Sequence, residues 1–310
     1  MSVERQFSQA APFGDTALTI GTFDGVHRGH QRLFQRVKEE AQARGLQSAA
    51  ITFRNHPRTV VTPGARVEYI TPWLQRKSLI KAQGIDHLVA LEFTKEISLF
   101  KAREFVALLV DHLRMKVLVV GPDFALGHRR EGDVETLKTL GREMDFRVWA
   151  VEPEVVNEGQ LIRSRTLRQL IAAGDVGLAE TMLGRPFSLG GVVTKGDQRG
   201  KDLGFPTANI IPEPDLLVPG DGIYATWAIV GGRRHQSATS IGVRPTFGPG
   251  PRSVEAYIFD FDSDIYGETL TLEFACRLRE EQVFSSVESL VEQMGRDVAQ
   301  ARIVLTDGSG

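Results

Sequence analysis

Residues 21–30 read GTFDGVHRGH and hold three glycines and two histidines within ten positions. Glycine lets a backbone come close to a ligand, and the N–H groups at the start of a helix attract anions. His27 and His30 are three residues apart, so both fall on the same side of a helix start. These residue types at this spacing predict a loop that holds and neutralises phosphate.

Two flanking segments must position this loop. The apolar run at residues 17–20 (ALTI) predicts a short buried strand. Residues 31–41 place Leu33, Phe34 and Val37 on one helical face. A strand, a glycine-rich turn and a helix in this order put the loop at the carboxyl end of a strand, where α/β sheets bind their ligands.

The alternation of strands and helices continues to about residue 152. The predicted strands are 17–20, 48–53, 87–91, 117–120 and 147–151, and the predicted helices are 33–43, 73–82, 102–113 and 134–143. Gly45, Gly84 and Gly141 lie near helix ends, where a left-handed cap favours glycine. The pattern favours a parallel sheet that is covered on both faces.

After about residue 185 the pattern is typical of antiparallel strands. A glycine turn at 231–232 joins apolar segments on either side, and 254–261 and 269–274 alternate apolar with polar residues. A capping-box spacing at 285–288 begins a terminal helix. These signals predict a small antiparallel β-barrel or sandwich with one terminal helix.

A second group of residues with chemical potential lies at 194–209, TKGDQRGKDLGFPTAN. Gly196, Gly204 and the cation Lys201 suit a mobile flap that closes over phosphates. Thr207 and Asn209 are two residues apart in an extended chain, so their side chains share a face. Their hydroxyl and amide oxygens are hard ligands that suit Mg²⁺ bound to a nucleotide.

Glu255 lies in a strand between apolar neighbours, where a carboxylate is unexpected. A carboxylate at such a position can deprotonate a substrate hydroxyl that attacks a γ-phosphate. Glu255 is therefore the candidate general base of the second half.

The composition of the chain argues against several classes of function. The 310 residues are 42% hydrophobic and 25% charged with a net charge of −2, which gives no positive field for nucleic acid or an anionic membrane. The single cysteine excludes a disulfide framework and a cysteine zinc site. The polar first 15 residues and the short apolar runs predict a soluble, cytoplasmic protein. A weak homo-oligomer remains open.

With these motifs in one chain and in this order, the whole sequence resembles the bacterial bifunctional riboflavin kinase/FAD synthetase family. The first half carries the resemblance through residues 21–30, and the second through GFPTAN (204–209), IGVRPTF (241–247), VEA (254–256) and YG (266–267). The resemblance implies a Rossmann-like nucleotidyltransferase domain with a parallel sheet (1–184) and a riboflavin kinase barrel with a terminal helix (185–310). It implies phosphorylation of riboflavin to FMN by ATP with Mg²⁺, then adenylylation of FMN to FAD with release of pyrophosphate.

The resemblance also implies a role for each candidate residue. The ATP cradle would consist of Gly21, Phe23, Asp24, Gly25, His27, Gly29 and His30, with the two histidines stabilising the developing charge. Ser164 and Arg168 would contact nucleotide phosphates, although Ser164 fits a helix N-cap equally well. In the kinase half, Gly196, Lys201 and Gly204 would cover phosphates, Thr207 and Asn209 would hold Mg²⁺, and Glu255 would be the base.

Three positions depart from the family pattern in the first half. Arg165 stands where the family has threonine, Arg54 stands where it has an acidic residue, and Ala125 stands where it has arginine. These departures motivate one alternative, an active kinase with a weak or repurposed adenylyltransferase module. A second alternative is a flavin-nucleotide sensor without catalysis.

Overall fold

A computed structural model describes residues 3–8, 14–156, 159–196, 200, 203–243 and 252–307. Its internal contacts divide the chain into two compact units, Met1–Ser164 and Arg165–Gly310. This division places the segment 165–184 with the second unit, and the domain boundary after residue 184 stays a prediction. None of the described helices is long and apolar enough to span a membrane.

The first unit alternates strands with helices, as the sequence predicts. Its strands are β1 (Thr16–Gly21), β2 (Gln47–Phe53), β3 (His87–Leu91), β4 (Met115–Val120), β5 (Ala125–Leu126), β6 (Gly132–Asp133), β7 (Arg147–Ala150), β8 (Val155–Val156) and β9 (Gln160–Leu161). Its helices are α1 (Val3–Ser8), α2 (Arg28–Arg44), α3 (Pro57–Val61), α4 (Trp73–Lys81), α5 (Lys95–Leu99), α6 (Ala102–Leu113) and α7 (Val134–Glu143).

Five of these strands form one parallel sheet in the order β3-β2-β1-β4-β7. Successive side chains of β1 enter opposite layers, because a strand repeats every two residues. Leu18 packs with α1, α6 and α7 on one face, and Ala17 packs with α2 and α4 on the other. The chain runs outward from β1 through β2 to β3 and then returns to β4 on the other side, so the strand order reverses at β1.

One of the three predicted glycine caps is confirmed as a cap, and a second glycine is left-handed but lies two residues beyond Ala82, the residue that caps α4. Gly45 has φ +65° at the end of α2, and Gly84 has φ +74°. The prediction for Gly141 is wrong, because this residue lies inside α7. A Cβ atom there would come within 2.5 Å of the Phe146 carbonyl oxygen, so close backbone approach is what requires glycine.

The second unit contains a closed six-stranded antiparallel barrel, and three of its helices have their bounds in the part of the chain that the structure describes. The helices are α8 (Ser164–Ala173), which begins at the boundary between the units, α9 (Val176–Leu183) and α10 (Val287–Asp307). The strands are β10 (Phe187–Thr194), β11 (Thr207–Pro212), β12 (Gly222–Val230), β13 (Arg233–Gly242), β14 (Ser253–Ile258) and β15 (Thr269–Arg279), and they close in the order β10-β11-β14-β13-β12-β15.

The barrel closes because β10 pairs with β11 on one side and with β15 on the other. This closure confirms the barrel and removes the open edges that a sandwich would leave. The terminal helix α10 covers one side, where Ala301 and Leu305 are buried with Ala225 and Phe259. A bidentate ion pair holds this helix against β15, since the Arg279 guanidinium donates to both carboxylate oxygens of Asp297 at 2.7–3.1 Å.

Candidate active sites

The glycine-rich loop of the first unit begins where β1 ends and runs to the start of α2. Phe23, Gly25 and Val26 all have positive φ angles, of +50°, +85° and +42°. Glycine accepts this conformation, but a β-branched residue such as Val26 is strained in it by about 1–3 kcal/mol. The Val26 N–H donates to the Phe23 carbonyl at 3.0 Å and closes the turn. The loop therefore holds an unusual shape at the carboxyl edge of the sheet.

His27 caps the amino end of α2. Its Nδ1 atom accepts a hydrogen bond from the backbone N–H of His30 at 3.3 Å, so the side chain is fixed in orientation. A Cβ atom on Gly29 would lie 3.3 Å from this Nδ1 atom, which is tighter than most real contacts. The glycine between the histidines thus leaves room for the His27 ring.

The two imidazole rings stack on each other, with centroids 3.5 Å apart and planes inclined by 18°. The buried ring of Phe23 packs edge-on against the imidazole ring of His30, and the two ring centroids are 5.2 Å apart. Gly21 is required by the same ring, since a Cβ there would lie 2.9 Å from it. The predicted nucleotide contacts of Gly21 and Phe23 stay predictions. In the structure Phe23 also packs against Phe34, with ring centroids 4.7 Å apart, and Gly21 pairs with Thr52 on β2.

Burial lowers the pKa of His30 well below its usual value of 6.5, and positive charge on His27 and Arg76 lowers it further. The Nδ1 atom of His30 is buried, and none of the described residues provides it with a hydrogen-bond partner. His30 is consequently neutral at pH 7 in the free protein. An anion placed against it would favour the protonated form.

Asp24 fastens the loop to the segment before α4. Its buried carboxylate accepts hydrogen bonds from the backbone N–H groups of Ile70 and Thr71 at 3.1–3.2 Å. Its carbonyl oxygen accepts from the Ser164 hydroxyl at 3.0 Å. The structure therefore brings Ser164 to the loop, as expected for a phosphate contact. Its direct contact with phosphate stays a prediction.

Arg168 and the three positions that depart from the family pattern lie on several different elements. Arg168 is half-buried on α8 in the second unit, and Arg165 is exposed on the same helix. Arg54 is exposed after β2, and Ala125 is half-buried in β5. The contact of Arg168 with nucleotide phosphate stays a prediction.

Sequence reasoning missed Arg76, which is only 1% exposed. Its Nη2 atom donates to the carbonyl oxygens of Phe53 and Arg54 at 3.0 and 2.9 Å, at the carboxyl end of β2. A signal existed in the sequence, because Arg76 occupies the same helical face as Ile80, which is buried. The signal is weak, because α4 has no continuous apolar face and its Leu74 is 75% exposed.

In the second unit, Thr207, Asn209 and Glu255 meet across two paired strands. Asn209 on β11 lies opposite Glu255 on β14 in the antiparallel register. The Thr207 hydroxyl donates to Oε2 of Glu255 at 3.3 Å, and the Ser253 hydroxyl donates to Oε1 at 2.8 Å. The buried neighbours of Glu255 face the barrel interior, whereas its own side chain is half-buried on the opposite face.

The flap residues that the structure describes approach this cluster. A Cβ atom on Gly196 would lie 2.3–2.6 Å from the Asn209 amide, so only glycine fits against this side chain. Gly204 has φ +83°, a conformation that favours glycine. Lys201, with 197–199, 202 and the motif residues 244–247, lies outside the described residues.

Comparisons with known proteins identify a family for each half of the chain. A model of the FAD synthetase family matches residues 10–166, and a model of the riboflavin kinase family matches residues 183–305. A bifunctional riboflavin kinase/FMN adenylyltransferase of Pseudomonas fluorescens is 37% identical over 286 residues, which cover 92% of this chain and 91% of that protein. The chain belongs to the bifunctional riboflavin kinase/FMN adenylyltransferase family.

Further relatives cover the chain to a similar extent. Proteins of the same description from Escherichia coli K12 and Bacillus subtilis are 34% and 32% identical, over 94% and 92% of this chain and 93% and 91% of theirs. A crystal structure of a Streptococcus pneumoniae protein, described as a macrolide-efflux protein, is 30% identical with a TM-score of 0.86. It covers 95% of this chain and 96% of that one.

Membership of the bifunctional family confirms the expected activity class. The protein is an ATP-dependent enzyme of flavin cofactor biosynthesis with a kinase module and an adenylyltransferase module. Neither alternative, a repurposed first module or a sensor without catalysis, is favoured by these comparisons.

The donor set of the kinase module fits a hard divalent cation. Thr207, Asn209 and Glu255 present oxygen atoms from adjacent strands, and Gly196 leaves the Asn209 amide room that any Cβ would fill. Mg²⁺ prefers oxygen ligands and shares its remaining positions with water and substrate phosphates. Among the residues that the structure describes, no group of three or more His, Cys, Asp or Glu side chains forms a separate metal site.

Proposed function

We propose that the barrel unit phosphorylates riboflavin and that the α/β unit adenylylates the FMN formed, with ATP as the donor in both steps. The observation that carries the first step is the position of Glu255, whose carboxylate is held by the hydroxyls of Thr207 and Ser253. The stacked rings of His27 and His30 at the start of α2 support the second step.

In the kinase step, the 5′-hydroxyl oxygen of riboflavin attacks the γ-phosphorus of ATP. Glu255 accepts the proton of that hydroxyl, and the bond between the γ-phosphorus and the bridging oxygen of ADP breaks. Hydrogen bonds from Thr207 and Ser253 hold the carboxylate in one orientation. Such positioning contributes directly to the rate, because phosphoryl transfer depends mainly on geometry and electrostatics.

Thr207 and Asn209 are the residues that would hold Mg²⁺ with the nucleotide. The bound cation supplies positive charge to the phosphate oxygens. The contact between Gly196 and the Asn209 amide keeps the flap backbone close to these ligands. Lys201 and Gly204 would follow on the same flap and cover the phosphates.

In the adenylyltransferase step, a phosphate oxygen of FMN attacks the α-phosphorus of ATP, and pyrophosphate leaves. No covalent enzyme intermediate is needed. His27 and His30 would donate hydrogen bonds to the phosphates at the start of α2, where the helix dipole also favours negative charge. Gly25 and Gly29 allow the close approach, Asp24 fixes the loop, and Ser164 and Arg168 would add donors.

The test follows products from the purified full chain by liquid chromatography. With riboflavin, ATP and Mg²⁺ we expect FMN and then FAD, and with FMN and ATP we expect FAD and pyrophosphate. Absence of both products from riboflavin contradicts the proposal. FMN formation without FAD formation from supplied FMN would support the repurposed first module instead.

One variant links the second step to its loop. We expect His30→Gln to lower FAD formation from FMN by about 10²–10³-fold, as for loss of one preorganised donor. FMN formation from riboflavin, in the other unit, serves as the control for folding and should remain at the wild-type rate. Equal loss of both activities would show that the two modules do not act separately.

A further inference from the structure

We propose that Arg76 binds the phosphate group of the acceptor, FMN, in the adenylyltransferase unit. This inference rests on the proposed function and adds a binding residue that neither the motif nor the family pattern supplies. It starts from hydrogen bonds that a buried guanidinium leaves unmade.

Arg76 is almost fully buried, yet it uses one of its three nitrogen atoms. Nη2 donates to the carbonyl oxygens of Phe53 and Arg54, whereas Nε and Nη1 are buried without an acceptor in the part of the chain that the structure describes. Buried polar groups are almost always hydrogen-bonded, so each exception needs an explanation. A ligand that brings acceptor oxygens is the simplest explanation for a cation with two donor atoms that lack an acceptor.

The guanidinium is also fixed in place before any ligand arrives. The aromatic rings of Trp73 and Tyr69 lie 5.1 and 5.6 Å from it, within the range of cation–π attraction. Together with the two carbonyl oxygens, these rings hold the planar group in one orientation. A guanidinium held in one orientation beside the phosphate loop can donate to a phosphate oxygen without first being ordered by the ligand.

Arg76 shares its surroundings with the phosphate loop. It contributes to the lowered pKa of His30, and the Asp24 carboxylate acts on Arg76 in turn. The Asp24 oxygens already accept from the backbone N–H groups of Ile70 and Thr71. The guanidinium of Arg76 and the imidazole of His30 therefore lie close enough to influence each other's charge, and an anion bound beside them would stabilise both positive forms.

The sheet order indicates which substrate supplies this anion. Arg76 contacts the end of β2, and Gly21 at the start of the loop pairs with Thr52 on that strand. The crevice where the strand order reverses lies on the opposite side of β1, between β1 and β4. Ligands of such sheets bind in this crevice, which assigns it to the nucleotide. The β2 side is left for the second substrate, whose reacting group is a phosphate.

A purely structural role is the competing explanation, in which Arg76 only ties α4 to the end of β2. The two roles predict different effects of an Arg76 substitution on the binding of FMN and ATP. Loss of a structural tie would distort the loop for both substrates. Loss of a phosphate donor would weaken the binding of FMN and leave the binding of ATP unchanged.

The experiment measures the KM values of FMN and ATP for FAD formation by Arg76→Gln, with Lys77→Gln as the control. Lys77 is exposed on the same helix, and its replacement removes the same charge. We expect the KM of FMN to rise about 10- to 100-fold in Arg76→Gln, as for loss of hydrogen bonds to a charged group. The KM of ATP, and both KM values of Lys77→Gln, should stay within about twofold of wild type.

A rise in both KM values, a rise confined to ATP, or a loss of kcat alone would overturn the inference. Arg76→Lys provides the second variant if the glutamine variant does not fold, because it keeps the positive charge and loses the planar guanidinium with its Nε and Nη1 donors. In that variant the KM of FMN should again rise alone, and riboflavin phosphorylation reports that the chain is folded. Failure of wild-type protein to make FAD would refute the proposed function, which the variants do not test.

Discussion

The imidazole rings of His27 and His30 stack 3.5 Å apart between centroids, at the start of one helix. Two positive rings cannot remain at this distance without a compensating anion, because like charges disfavour each other's ionised form. A bound anion would therefore be needed before both rings could be protonated together, and the glycine between the histidines makes the stacked arrangement sterically accessible.

The titration of His30 provides a first prediction. Its pKa is lowered in the folded protein, so His30 contributes stability that is complete above the unfolded pKa of about 6.5. That stability is lost as the pH falls below this value, because the unfolded chain takes up a proton that the folded chain refuses. We expect NMR of histidine-labelled protein, assigned with His30→Gln, to show a pKa below 6.5 that rises when ATP is added. An unchanged pKa on ATP binding would contradict a phosphate contact.

Glu255 carries the second prediction. Glu255→Gln keeps the size of the side chain and its ability to accept a hydrogen bond from Thr207, but it removes the base. We expect kcat for FMN formation to fall about 10²–10⁴-fold, which is the usual contribution of general base catalysis. Conversion of supplied FMN to FAD should remain at the wild-type rate. A glutamine variant with normal kinase turnover would exclude Glu255 as the base.

A third prediction concerns the metal ligands. Asn209→Ala removes an amide oxygen from the cluster on β11, and we expect FMN formation to need more Mg²⁺ for half-maximal rate, by about tenfold or more. The adenylyltransferase step provides the internal control, since its Mg²⁺ dependence should not change. Thr207→Val should behave in the same direction. An equal effect on both steps would indicate a general loss of folding.

The ion pair between Arg279 and Asp297 supports the fourth prediction. Both side chains are mostly buried, so Asp297→Ala leaves a buried charge without its partner and should lower the unfolding free energy of the barrel unit by about 3–5 kcal/mol. Glu292→Ala breaks an exposed pair with Arg296 on the same helix and should cost less than about 0.5 kcal/mol. Chemical denaturation of both variants checks the difference. Similar values for the two variants would show that burial does not decide the strength of the pair.

Local patterns accounted for much of the fold. Strand β1 begins and ends within one residue of its predicted bounds, and α2 ends within one residue of its predicted end, because short-range periodicity and capping decide them. The predicted start of α2 at residue 33 is wrong, since the helix begins at Arg28 inside the glycine-rich motif. The barrel strand β10 was not among the predicted elements, since Gly190 and Gly191 interrupt its apolar run. Its pairing with β15 forms only when distant segments meet.

Sequence by itself determined the chemistry, because the residue types at 21–30, 204–209 and 255 and their order along the chain define two phosphate-transfer motifs. Tertiary structure alone decided which groups meet. Thr207 reaches Glu255 through strand pairing, and Arg76 comes under the influence of Asp24 and His30 although helix α4 follows them by tens of residues. The physical reason is that burial, electrostatic interaction and unmade hydrogen bonds depend on separation in space, which no local pattern encodes.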